Sequence, residues 1–207
     1  MMFNFLNKAG LYALINSKFE ELGINPAAEN YRIDAMELAK EVCLNLQIEM
    51  LSFEETKICG ILYKGKTSTT IGLNARRSLF GQNFDCMHEL IHYWFHDGRA
   101  NFLCTPPSPA VPASSDLIAH LEWQANEGAA QFLMPFQNFI PRYCNMHDHF
   151  YAHLSPNKAH DALLDNLAKH YMVGTLAVQY RMEGLLKEIG QYIGGAKIDD
   201  IRILARG

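Results

Sequence analysis

Residues 84–97 read FDCMHELIHYWFHD, and they set the terms for the rest of the chain. Apolar residues recur there at helical spacing, which predicts a helix beginning after Asn83 and stopping at Gly98. Within it, His88-Glu89-Leu90-Ile91-His92 forms an H-E-x-x-H pattern. Helix positions four apart share a face, about 6 Å apart at Cβ, so both imidazoles can converge on one metal ion. Zinc takes nitrogen ligands at about 2.0–2.1 Å in a tetrahedron, which two histidines on adjacent turns can supply. Glu89 lies one position after His88 and three before His92. From there it can reach a water beside the metal without ligating, as a general base must. Were His88 and His92 ordinary core histidines, Glu89 would be a carboxylate on a mostly apolar helix with no evident partner.

A catalytic zinc keeps three protein ligands and an open position, so a third ligand must come from elsewhere. Glu122 is the choice, 30 residues after His92 on a second helical stretch, LIAHLEWQANEGAAQFLM. Ser115 or Asp116 can cap that helix and Pro135 ends it. Asn126, one turn after Glu122, shares its face and suits an outer amide that orients a ligand imidazole, while Ala125, Ala129 and Ala130 permit close helix packing. His96 continues the four-residue series but lies about 12 Å along the helix from His88, which suits capping or packing better than ligation. Glu127 points about 140° away from Glu122 around the helix. A third histidine six residues beyond the second would make a metzincin, but Gly98 stands there.

Outward from these two helices the pattern is α+β. Leu11, Leu14, Ile15, Phe19 and Leu22 mark a helix over 9–22 that Gly23 stops, and Asp34 caps a second carrying Leu38, Ala39, Val42 and Cys43. Residues 47–53 (QIEMLSF), 57–63 (KICGILY) and the run TSTTIGL ending at Asn74 read as strands, most economically a short antiparallel sheet. Four prolines within 106–112 make a surface loop, and from about Asn157 two or three further helices follow. The expected division is a core over 1–140 and a helical region over 141–207.

The composition narrows the function classes. The 207 residues carry 18 Lys+Arg and 22 Asp+Glu, a net charge of −4 with no basic run, which argues against gripping nucleic acid or anionic membrane. Five scattered cysteines with no C-x-x-C pair suggest neither a disulfide framework nor a thiolate zinc site. Asn4, Asn7 and Lys8 interrupt the first apolar residues, so no secretory leader is expected, and no stretch reaches the ~18 apolar residues of a membrane span. The expected location is the cytoplasm.

With its two motifs in order, NFDCMHELIHYWFH and LEWQANEGAAQFLMP, the chain resembles the ImmA/IrrE family of zinc metallopeptidases over approximately residues 30–140. The resemblance implies a gluzincin-like, that is zincin-like, fold with one zinc ion per chain. It implies metal ligation by His88, His92 and Glu122, a general base at Glu89 and a supporting amide at Asn126. Members typically carry a small residue where Ile91 stands and a Phe where Gly128 stands, which questions the packing between the two helices. Several members cleave or antagonise a helix-turn-helix repressor that silences a mobile element or stress genes. The expected partner is therefore a protein substrate of that kind, with a regulatory role.

Other features are less specific. Tyr143 or one of His147, His149 and His153 could donate to developing oxyanion charge, although that run also reads as polar surface. Leu167–Val173 followed by Ala177, Val178 and Arg181 has the look of a helix-turn-helix pair, but its charges are mixed. Two alternatives to a peptidase remain: a metal-bearing module that binds or senses a protein partner without cutting it, and a DNA-binding regulator built on the tail. An intact Glu in H-E-x-x-H favours catalysis over the first, and the acidic balance opposes the second.

Overall fold

The computed structural model describes residues 6–54, 58–96, 102–104 and 117–203. Along the chain come α1 (Lys8–Glu21), α2 (Ala35–Val42), β1 (Leu46–Leu51), β2 (Gly60–Lys64), β3 (Thr69–Asn74), α3 (Leu79–Phe95), β4 (Phe102–Cys104), α4 (Leu117–Leu133), α5 (Phe136–His153), α6 (Pro156–Tyr171), α7 (Thr175–Gly184) and α8 (Leu186–Ile193). The class is α+β and zincin-like in its make-up, a small sheet with predominant helices. The expected stop at Gly98, the proline-rich loop at 106–112 and the caps at Ser115 or Asp116 lie outside the described residues. Among those described, no helix is long and apolar enough to cross a membrane.

The chain divides into two compact units, one spanning Ile33–Ala129 and the other joining Leu6–Arg32 to the segment from Ala130 onward. The sequence reading set its boundary at 140 and put α1 with the core; the contacts put α1 with the C-terminal helices and the boundary inside α4.

In the first unit the strand order is β1-β3-β2-β4. The sheet is mixed, which corrects the antiparallel expectation: β1 runs parallel to β3, from Leu46↔Thr69 to Leu51↔Asn74, while β2 is antiparallel to both β3 and β4. The cause is the path of the chain. All of β2 lies between β1 and β3 and returns the chain to the starting end, and a long connection of this kind is what a parallel pair requires. The hairpin then places β3 between β1 and β2. β3 is buried over its last four residues, as an interior strand is, whereas no residue of the edge strand β1 is buried. A Cβ at Gly72 would collide with Leu51 and Ile61, so glycine lets side chains of both neighbouring strands close over β3.

Beyond β3, Asn74 turns the chain toward α3. Its amide donates to Ile58 O at 2.7 Å, its side-chain oxygen accepts from Arg76 N at 3.0 Å, and Gln82 Nε2 donates to its carbonyl at 3.2 Å. Ser78, not Asn83, caps α3, accepting from Gly81 N at 3.1 Å. Asn83 is buried one turn inside, where it accepts from Ala35 N at 2.7 Å and donates to Ile33 O at 3.1 Å, clamping the start of α2 against α3. Asp34 caps α2 as expected, accepting from Met36 N and Glu37 N.

The second unit is all helical. From α1, Leu11, Tyr12, Ile15 and Phe19 are buried, and the Phe19 ring lies 4.6 Å from that of Phe132 and 6.3 Å from Tyr31. Arg181 of α7 is buried and donates to Met134 O at 2.9 Å, to Tyr12 Oη and to Gln131 Oε1. Lys8 and Glu188 form an ion pair at 3.0 Å with side chains only 4% and 2% exposed, and Lys8 also donates to Gly184 O at 2.8 Å. α5, with Pro141 inside it, falls mostly in the region expected to be helical but was not singled out as an element, while the α6–α7 pair was; Met172 ends α6 in the left-handed conformation at φ 55°.

Removing one partner of a buried ion pair strands the other, so Glu188→Leu should cost about 3–5 kcal/mol in a urea titration, and adding Lys8→Met should recover most of the loss. His170 offers a pH test. Burial first, then the charges of Arg142 and Arg32, lowers its pKa from 6.5 to about 4. The unfolded chain therefore takes up that proton first. Its contribution to stability is whole above pH 6.5 and is lost as pH falls from 6.5 to about 4, and urea midpoints across that window should slope less in His170→Gln.

Candidate metal centre

α3 is buried on every side from Gly81 to His92, and His88, Glu89 and His92 are each 0% exposed. Three ionisable side chains thus sit on consecutive turns out of reach of water, at a cost that specific partners must offset. Those partners come from α4, within the same unit. His88 Nδ1 lies 3.0 Å from Asn126 Oδ1, a hydrogen bond the imidazole must donate because that amide oxygen only accepts. His88 Nε2 is then directed at Glu122 Oε2, 3.4 Å away, and His92 Nε2 at Glu122 Oε1, 3.3 Å away. The two Nε2 atoms are themselves 3.0 Å apart. One ligand atom from each of His88, His92 and Glu122 lies within 4.8 Å of the others, a group that could hold a metal ion.

The electrostatics follow from burial and this convergence. Burial disfavours a charged His88, but its hydrogen bond to Glu122 and the charges of Glu89 and Glu122 outweigh that and raise its pKa. Burial drives His92 down to about 3, only partly opposed by Glu122. For Glu122 the burial effect is overcome by the two histidines, which hold it at about 2. Two neighbouring imidazoles that share one carboxylate disfavour a second positive charge beside the first, so the pair titrates as a unit. Glu122, with 21% of its side chain exposed, is the member that meets solvent.

Glu89 stands apart from the ligand group. Neither carboxylate oxygen has a hydrogen-bond partner among the described residues, and a Cβ on Gly60 of β2 would come within 3.1 Å of Oε1. Burial raises its pKa to about 8; His88 lowers it, and Glu122 and Asp85 add to the rise. Behind it, Arg77 Nε donates to buried Asp85 at 2.5 Å. A buried carboxylate that changes protonation near neutrality, beside a cation-accepting cluster, has the properties of a proton-transfer group.

The sequence reading brought together His88, Glu89, His92, Glu122 and Asn126, and all five meet here. It set His96 aside as a capping or packing residue, and His96 is the C-cap of α3; its ring nevertheless joins the cluster's surroundings, with Nδ1 2.8 Å from His92 Nδ1 and Nε2 3.1 Å from Gln124 Oε1. Gln124 went unremarked. The signal for His96 was its spacing of four from His92; a glutamine on a helix announces nothing. Tyr143, His147, His149 and His153 all belong to α5 in the other unit, where His147 Nδ1 lies 3.3 Å from Asp148.

Ile91 and Gly128 turn out to face each other. A Cβ on Gly128 would meet three atoms of the Ile91 side chain at 3.1–3.4 Å, so the bulk that a larger residue would bring from α4 is supplied here by α3. The two departures from the pattern noted above therefore compensate at one contact. Gly128→Phe alone should overpack the site and cost about 1–3 kcal/mol in chemical denaturation, while pairing it with Ile91→Ala should recover much of that loss in a double-mutant cycle.

A family model, Peptidase_M78, described as the IrrE N-terminal-like domain, matches residues 41–183, more than half of the chain. No curated protein matches it.

Proposed function

The chain belongs to the Peptidase_M78 family of IrrE N-terminal-like domains, and from that membership, which carries a metallopeptidase-type function, we propose that it is a zinc-dependent endopeptidase. The observation that carries the reading is the convergence of His88, His92 and Glu122 around one point with Glu89 unpartnered beside it.

The residues fit the ion. With the Nδ1 of His88 engaged by Asn126, and that of His92 by His96, both Nε2 atoms are turned toward the oxygens of Glu122. With His88 neutral, the three ligand atoms are acceptors directed at one another and repel, and a cation relieves the repulsion. Two imidazoles and a carboxylate suit zinc. When bound, zinc polarises a carbonyl oxygen and brings the pKa of a water molecule to about 7. His88, His92 and Glu122 would hold it, one ion per chain. Asn126 fixes the ring of His88. Glu89, raised toward neutrality by burial, takes the proton of the attacking water and returns it to the leaving amine.

The substrate we propose is a protein, a helix-turn-helix repressor of a mobile element or stress response, met in the cytoplasm. That identity rests on the sequence resemblance.

The experiment combines metal content with cleavage. The purified protein should carry one zinc per chain by elemental mass spectrometry, retain it in Glu89→Gln and lose it in Glu122→Ala or His92→Ala. Candidate repressors incubated with the zinc-loaded protein should be cut, as read by intact mass, and Glu89→Gln should slow cutting by about 10²–10⁴-fold. Cleavage undiminished in Glu89→Gln would overturn the mechanism; a repressor bound for hours yet left intact would point instead to a binding module.

A further inference from the structure

We propose that His96 and Gln124 are positioning residues that hold His92 as its Nδ1–H tautomer and so turn its Nε2 lone pair into the cluster. The purpose of that lone pair rests on the metallopeptidase reading; the chain of hydrogen bonds does not.

A neutral imidazole has one N–H and one lone pair, and which nitrogen carries which is decided by the partner at the far side of the ring. Gln124 Oε1 can only accept, so the proton at its 3.1 Å contact belongs to His96 Nε2. His96 is buried, which disfavours its charged form. Its Nδ1 is then a lone pair. The 2.8 Å contact between His96 Nδ1 and His92 Nδ1 has room for one proton, which must therefore sit on His92. With Nδ1 protonated, His92 Nε2 is an acceptor, and it is this atom that faces His88 Nε2 and Glu122.

The two candidate ligands are thus aimed by the same device at different lengths. Asn126 acts on His88 directly, whereas Gln124 acts on His92 through a second imidazole, since four residues further along α3 the His96 ring stacks edge-on at 4.8 Å from that of His92. Both relays end in a neutral amide from α4. A carboxylate at either end would add charge to a buried cluster that already contains Glu89, Asp85 and Glu122, so an amide oxygen supplies the acceptor without the repulsion. Reversing the Gln124 amide would reverse every proton in the chain and leave an N–H at His92 Nε2, pointing into the cluster.

The test reads the tautomer and the metal separately, on the full chain. In EDTA-treated wild-type protein, long-range ¹⁵N–¹H correlation of the imidazoles should show the proton of His92 on Nδ1 and that of His96 on Nε2. Gln124→Met keeps the length of the side chain and removes the acceptor; it should mix the His92 tautomers and weaken zinc binding by about 10–100-fold in competition with a chromophoric chelator. Gln124→Glu restores an acceptor at the same length and should return the His92 proton to Nδ1 in the same correlation spectrum, a rescue that loss of packing would not give. A His92 proton on Nε2 in the wild type, or undiminished zinc affinity in Gln124→Met, would overturn the proposal. Wild-type protein that shows the expected tautomers yet takes up no zinc would overturn the metal reading instead.

Discussion

Burying His88, Glu89 and His92 on one helix face is the constraint that the first unit is built around. Desolvating one ionisable group costs several kcal/mol unless something compensates, and here three lie within five residues. Beyond the His96 ring that meets His92, the compensation does not come from α3, whose neighbouring positions are filled by Cys86, Met87, Leu90 and Ile91. It comes from α4, which must approach closely enough for Glu122, Gln124 and Asn126 to reach across. Gly128 makes the approach possible, because a side chain there would press on Ile91. Close helix packing and polar satisfaction are therefore one requirement: separating the two helices would unpair the histidines, and removing the histidines would leave the Glu122 and Asn126 side chains facing an apolar helix.

The sheet supplies the other wall. β2 lies against α3 at Gly60, where the missing side chain leaves space for the Glu89 carboxylate, and the Asn74 turn fixes where α3 begins. An ordinary residue at 60 would crowd the Glu89 carboxylate, neither oxygen of which has a hydrogen-bond partner among the described residues. Placement of Glu89 is thus shared between helix and strand, and its raised pKa is a consequence of that enclosure.

Much of this was legible in the chain because helical spacing is a strong signal. His88 and His92 at a separation of four, with Glu122 and Asn126 repeating it on the later helix, define a face each, and the faces meet. What the sequence hid depends on partners far along the chain. Asn83 looks like a helix cap, yet it is buried because Ile33 and Ala35, some 50 residues earlier, offer backbone groups for it to bond. β1 looks like one leg of a meander, but its neighbour is set by where the β2–β3 hairpin lands. α5 was obscured by Pro141 and a histidine-rich run, although proline within a helix is tolerated where the surroundings hold the turn. Gln124 and His96 were passed over as individuals, for their meaning lies in the contact between them.

The discontinuous second unit has a consequence for the order in which the molecule can form. Tyr12 leaves the ribosome 169 positions before its partner Arg181. At the usual elongation rate of about 5–20 residues per second, α1 waits on the order of 10–30 s with its apolar face uncovered. The Ile33–Ala129 unit, continuous in sequence, can close during that interval. The segment that carries the candidate metal centre can thus reach its native contacts before the second unit has all of its chain.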